Sequence, residues 1–218
     1  QIIMDDAGPA SIILKLFLLF ILILINAFFA MSEIAIISLN DAKMEKMAED
    51  GDKKAKQVLK LTKNSSNFLS TIQIGVTLAG FLTSAVAAQN FAVMLTDALA
   101  KTSVVKVIPV GAISVISTIL IALIMSYFSL VLGELAPKKF AMQKSEKISF
   151  AVTPILLGFS KITKPFVKLL SPSTNLIVRM FGLDPNADEE TVTEEEIRMM
   201  VDVGQEKGVI EDSQKEMI

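Results

Sequence analysis

From Asn64 to Thr96 the chain carries no charged side chain, and the same holds for Leu16–Ser32 and for the run from Val107 to Gly133. A bilayer-spanning helix needs about 20 consecutive, mostly apolar residues. Three such runs bounded by charge leave little freedom. In hydrocarbon every backbone N–H and C=O must be satisfied within the segment, which restricts lone spanning segments to helices. The predicted fold class is therefore all-α, a polytopic membrane protein with three transmembrane helices per subunit plus juxtamembrane or interfacial helices. A hydrophobic content of 52% and a mean hydropathy of +0.56 over 218 residues agree with that reading.

The spans are placed at about Ala10–Leu39, Ser66–Gln89 and Val107–Leu132. The segment between the first two, Asp41–Lys63, holds Lys43, Lys46, Lys53, Lys54, Lys56, Lys60 and Lys63 among five acids and an interrupted apolar stripe. It reads as an amphipathic helix, a break around Gly51, and more helix. Seven lysines in a short loop mark it as cytoplasmic. The connector around Asp97–Lys106 has only Lys101 and Lys106 as cations and suits the outer side. The topology is then N-terminus outside and C-terminus cytoplasmic, in a multi-pass protein of the cell membrane. In the second span Gly80, Ser84 and Ala88 recur every fourth residue, a face that lets membrane helices approach closely.

Ile148–Leu183 is apolar but interrupted by Pro154, Lys161, Lys164, Pro165, Lys168, Pro172 and Arg179. It is expected to lie in the interface, with a tilted, kinked fourth span as the alternative. Residues 1–183 form the predicted transmembrane domain. Residues 184–218 form an acidic linker with a capping box at Thr193–Glu196 and a short helix at Ile197–Val203. A chain that stops inside another helix-like pattern is expected to be the membrane part of a longer protein.

The chain has no Cys and no His. Disulfides, thiolate metal sites and the commonest general base are excluded, and nothing offers a nucleophile beside a base, so no enzyme is predicted. Oxygen ligands remain, the chemistry of hard cations. The stretch Gly133-Glu134-Leu135-Ala136-Pro137-Lys138 concentrates them. A carboxylate meets the end of an apolar run just before a proline, which should bend or stop the helix and free carbonyls. An ionisable group at membrane depth is by default a functional candidate. The plain alternative is an ion pair of Glu134 with Lys138 or Lys139. Asn26 reads as a packing polar group, and Glu33 as an ion-pair partner of the Lys138–Lys139 region.

Three motifs carry a family resemblance: Phe28-Phe29-Ala30-Met31-Ser32-Glu33, Ser70-Thr71-Ile72-Gln73-Ile74-Gly75-Val76-Thr77-Leu78, and Gly133-Glu134-Leu135-Ala136-Pro137-Lys138. In this order and spacing the chain resembles the membrane domain of the CNNM/CorC family of magnesium transport proteins, whose bacterial members are often labelled hemolysin-like. The tail from Val192 to Ile210 looks like that family's lead into a cytosolic pair of CBS domains. The resemblance implies a homodimer with three transmembrane helices per subunit and a belt of juxtamembrane helices. It implies a Mg²⁺ site in each helical bundle and ATP binding only on CBS domains beyond this chain. It maps the family acid onto Glu134, the first-helix serine motif onto Ala30-Met31-Ser32, and the second-helix Gly-Asn-x-Leu-x-Asn motif onto Gly75–Gly80. Ala30 stands where that family's motif has its first serine, and Val76 and Gly80 where it has its two asparagines, so at least one of the family's side-chain ligands is absent. The candidate metal set is then Glu134, Ser32, Thr77 and Ser38 by side chain, with Ala30 and Gly80 by backbone carbonyl; Gln73 could add an oxygen.

The implied function is Mg²⁺ transport, in the efflux direction and coupled to Na⁺. The implied partners are a second copy, membrane lipid, Mg²⁺ and Na⁺, with no nucleic acid. The alternative is an ion-sensing regulatory membrane module without transport. A lytic protein, suggested only by the hemolysin label, fits poorly with segments this apolar and a topology this well specified.

Overall fold

The computed structural model describes residues 9–63 and 65–184, together with 199, 201, 202 and 205. Among the described residues all regular structure is helical. Helix α1 (Pro9–Ile37) is followed by two short helices, α2 (Asp41–Glu49) and α3 (Lys53–Thr62). Helix α4 (Ser65–Ala87) passes through a π-helical turn at Ala88–Ala92 into α5 (Val93–Ala100). Helix α6 (Val110–Leu130) passes through a second π-helical turn at Val131–Leu135 into α7 (Ala136–Gln143), and α8 spans Ser145–Met180.

The α2–α3 hairpin follows directly from its sequence. Asn40 Oδ1 accepts the Lys43 N–H at 2.8 Å and caps α2. Gly51, at φ +97°, takes the left-handed turn that ends it. There the N–H of Asp52 reaches Met47 O (2.9 Å) and that of Gly51 reaches Ala48 O (3.2 Å), the paired bonds of a glycine-terminated helix. Asp52 then caps α3, its Oδ1 accepting from Lys54 N and Ala55 N at 2.7 and 3.1 Å. Met44, Ala48, Ala55, Val58 and Leu61 are buried beneath, and the lysines stay outside. Lys43 pairs with Glu146 in the first turn of α8.

The core joins four helices. Phe29 and Ile36 of α1, Leu61 of α3, Phe68 and Ile72 of α4, and Val152 and Leu156 of α8 form one buried cluster. Phe29 is its centre, 5.3 Å from the Phe28 ring and 4.8 Å from Phe159. Gly75 makes room for it: a Cβ there would lie 2.6 Å from the Phe29 ring. Helix α6 is the reverse. Val115, Ile116, Ile119, Leu120, Leu123 and Ile124 all stand exposed, a surface suited to acyl chains.

Four helices are long and apolar enough to cross a membrane: Ala10–Ile37, Asn67–Ala100, Val110–Gln143 and Ser145–Met180. The expectation of three is thus approximate. The additional one is the segment read as interfacial. It does not break at Pro154, Pro165 or Pro172, and all three prolines lie on exposed positions of one continuous helix. Its buried face is Ser149, Val152, Thr153, Leu156, Thr163 and Val167, while Lys161, Lys164 and Lys168 are exposed. It ends at Gly182 (φ +76°), with the Gly182 N–H on Arg179 O and the Leu183 N–H on Val178 O.

Two further boundaries differ from expectation. The second span does not stop at Gln89 but continues to Ala100, so Asp97 is helical and the connector is shorter. Inside its π turn the Asn90 side chain donates to Val86 O at 2.8 Å, satisfying a carbonyl within the helix. The helix carrying Glu134 does not stop at Pro137 either. Pro137 falls in the first turn of α7, where a missing N–H is tolerated. The predicted capping box at Thr193–Glu196 lies outside the described residues. So does most of the helix predicted at Ile197–Val203, of which Met199, Val201 and Asp202 are described and helical.

Candidate cation site

Gly133 packs closely on α1: a Cβ there would sit 3.0 Å from Asn26 Nδ2, a tight contact, and 3.5 Å from Ile23 Cγ2. In an ordinary helix the Gly133 carbonyl would accept the N–H of residue 137. That residue is proline. Asn26 of α1 supplies the donor instead, Nδ2 to Gly133 O at 3.1 Å. Asn26 is 5% exposed, and its Oδ1 has no hydrogen-bond partner. The second π turn is thus pinned to α1 by one buried amide.

The turn carries Glu134. Its Oε1 accepts from Lys138 Nζ at 2.9 Å, one helical turn on. The same Nζ lies 3.4 Å from Glu33 Oε2 on α1. Two carboxylates share one ammonium, which leaves one negative charge in excess. The three side chains are 27–36% exposed, so none is fully hydrated.

Glu134 also borders a cavity of about 430 Å³ between α4 and α6. From α4 come Thr77, Gly80, Thr83, Ser84 and neighbouring alanines; from α6 come Thr118, Ala122, Ser126 and Ser129. Among the described residues Glu134 is its one ionisable wall residue. A Cβ on Gly80 would meet nothing within 4 Å.

Of the residues singled out from sequence, Glu134, Thr77 and Gly80 come together on this cavity. Ala30 and Ser32 do not line it. Both are buried on α1, and the Ser32 hydroxyl donates to Phe28 O of its own helix at 2.6 Å. Ser38 is exposed at the end of α1, where its N–H bonds Ile34 O. Gln73 Nε2 lies 3.5 Å from Thr77 Oγ1. The ion pairs anticipated for Glu33 and Glu134 are both present, on the same lysine. Sequence reading missed Thr83, Thr118, Ser126 and Ser129. The available signal was spacing: Thr118, Ala122, Ser126 and Ser129 repeat at three- and four-residue steps, as do Thr77, Gly80 and Ser84. Each set is one helical face of small and hydroxyl residues.

The family model of the cyclin M transmembrane N-terminal domain, CNNM, matches residues 17–214. The chain belongs to the CNNM family. It is a family of transmembrane domains. The chain is similar to UPF0053 protein sll0260 of Synechocystis sp., 38% identical over 209 residues that cover 96% of this chain and 46% of that protein. UPF0053 protein YugS of Bacillus subtilis is 31% identical over 204 residues, 93% of this chain and 47% of the relative. A Haemophilus influenzae protein named polyamine export protein is 27% identical over 197 residues, 90% and 44% of the two chains. The chain therefore spans about half the length of the curated relatives it matches. The order and spacing of the three motifs were the signal for the CNNM membrane domain, and the family match includes all of them.

Proposed function

We propose that this chain is the membrane part of a cation exporter and that its cargo, Mg²⁺, binds in the α4–α6 cavity against Glu134. The observation that carries the reading is the placement of one carboxylate, by a π turn, on a cavity whose walls mix hydroxyls with apolar side chains such as Phe81, Met125 and Leu130. A carboxylate in such surroundings favours a cation beside it. Mg²⁺ demands octahedral oxygen geometry and gives up water reluctantly. With one carboxylate on the wall, the ion would keep several waters, held by Thr77, Ser84, Thr118 and Ser126. The lysine-rich α2–α3 hairpin supports a cytoplasmic placement of that end of the bundle. Assembly as a homodimer and exchange against Na⁺ complete the reading.

A second cargo has specific support. A flexible polyamine needs a long apolar cleft with a carboxylate and hydroxyl acceptors, and one relative is named a polyamine export protein. Efflux from proteoliposomes containing the full-length protein, loaded with Mg²⁺ or with spermidine, separates the two. Mg²⁺ release that disappears in Glu134→Gln is the expected result. Release of spermidine alone would transfer the site to polyamines. Binding of Mg²⁺ without flux would make the domain an ion sensor. Transport unaffected by Glu134→Gln would overturn the site.

A further inference from the structure

We propose that Lys138 is a tethered counter-ion that the cargo cation displaces from Glu134 onto Glu33. The inference rests on the cation-site reading above and adds how that site is kept when empty.

The geometry is a choice between two partners at nearly equal range. Lys138 Nζ is 2.9 Å from Glu134 and 3.4 Å from Glu33. Glu134 borders the cavity, whereas neither Lys138 nor Glu33 lines it. The ammonium therefore reaches Glu134 from behind, and a cargo ion would reach it from the cavity side. Both cannot sit against one carboxylate without repelling each other. The lysine has somewhere to go, since Glu33 is already within ion-pair distance. Its flexible four-carbon stem and three rotatable donors allow the exchange without moving a helix.

The device serves the empty state. An unpaired, partly buried carboxylate is costly, and an exporter must return without cargo. With Lys138 on Glu134 the empty cavity presents a neutral pair. With cargo bound, Lys138 neutralises Glu33 and the site holds the ion. The lysine weakens cargo binding and speeds return. Because Glu33 is on α1 and Glu134 on the second π turn, each exchange shifts one ionic contact between those two elements.

The test is titration calorimetry of the purified full-length protein in detergent with Mg²⁺ as the only ligand, alongside efflux from proteoliposomes. Lys138→Met is expected to bind Mg²⁺ about tenfold more tightly, equivalent to about 1.4 kcal/mol, yet to turn over more slowly. Glu33→Gln leaves the Glu134–Lys138 pair intact and removes the alternative partner. It is expected to weaken binding about threefold to tenfold, which keeps the proposal testable should Lys138→Met fail to fold. Glu134→Gln is the control on the underlying site. If Glu134→Gln binds Mg²⁺ like the wild type, the site itself is wrong. If Glu134→Gln abolishes binding while Lys138→Met binds no tighter, or Glu33→Gln binds no more weakly, the site stands and the exchange is overturned.

Discussion

Asn26 and Gly133, 107 positions apart in the chain, are joined by a buried 3.1 Å hydrogen bond from the asparagine amide to the glycine carbonyl. The bond answers a carbonyl that Pro137 cannot reach with an N–H. Asn26→Leu removes the donor, and with it the unpartnered Oδ1, so the net loss is expected to be modest, about 1 kcal/mol. Asn26→Asp sets a carboxylate against the carbonyl and should lose more. Thermal unfolding in detergent checks the order; an Asp variant as stable as wild type would contradict it.

Gly75→Ala tests the seam between α1 and α4. The new methyl would lie 2.6 Å from a Phe29 ring that Phe28 and Phe159 already confine. Overpacking of this kind costs about 1–3 kcal/mol. Adding Phe29→Leu to Gly75→Ala should recover part of the loss, and a double-mutant cycle on the unfolding midpoints measures that coupling.

Asp52→Ala removes both side-chain bonds at the start of α3. Loss of such a cap costs about 1 kcal/mol. Faster amide exchange confined to Lys54–Val58, with the membrane helices unchanged, is the expected signature.

Topology can be read directly, because the chain has no cysteine to remove first. A single Lys56→Cys should react with an impermeant maleimide only from the cytoplasmic side, and Ser103→Cys only from outside. Leu183→Cys decides the course of α8. Labelling from the cytoplasmic side is expected if the lysine face of α8 lies along the interface; labelling from outside would make it a fourth crossing.

The parts legible in the sequence were those governed by solvation and local caps. Uncharged runs gave α1, α4 and α6. The break around Gly51 gave the α2–α3 hairpin, since a glycine-terminated helix end is local chemistry; the Asn40 and Asp52 caps came from the structure. Glu134 and its lysine neighbour were visible because an acid beside an apolar run is conspicuous. The continuity of the helix past Pro137 was not legible, because it comes with a π turn that sets the proline in the first turn of α7, and the donor to the Gly133 carbonyl is supplied from another helix. The hydroxyls of Thr118 and Ser129 were hidden for a related reason: a serine or threonine can bond its own helix, as Thr118 does with Ser114 O, and only the packing of α4 against α6 places them on a common wall. That α8 runs unbroken through three prolines was not legible either; each lies at an exposed position of the helix, away from its buried face.

Gly80 leaves its share of the α4–α6 cleft vacant, with no atom close enough to resist a side chain there. An alanine at that point would accordingly narrow the cleft without meeting a neighbouring side chain. A bundle with such an adjustable throat can be refitted from a bulky organic cation to a small hydrated one without being rebuilt.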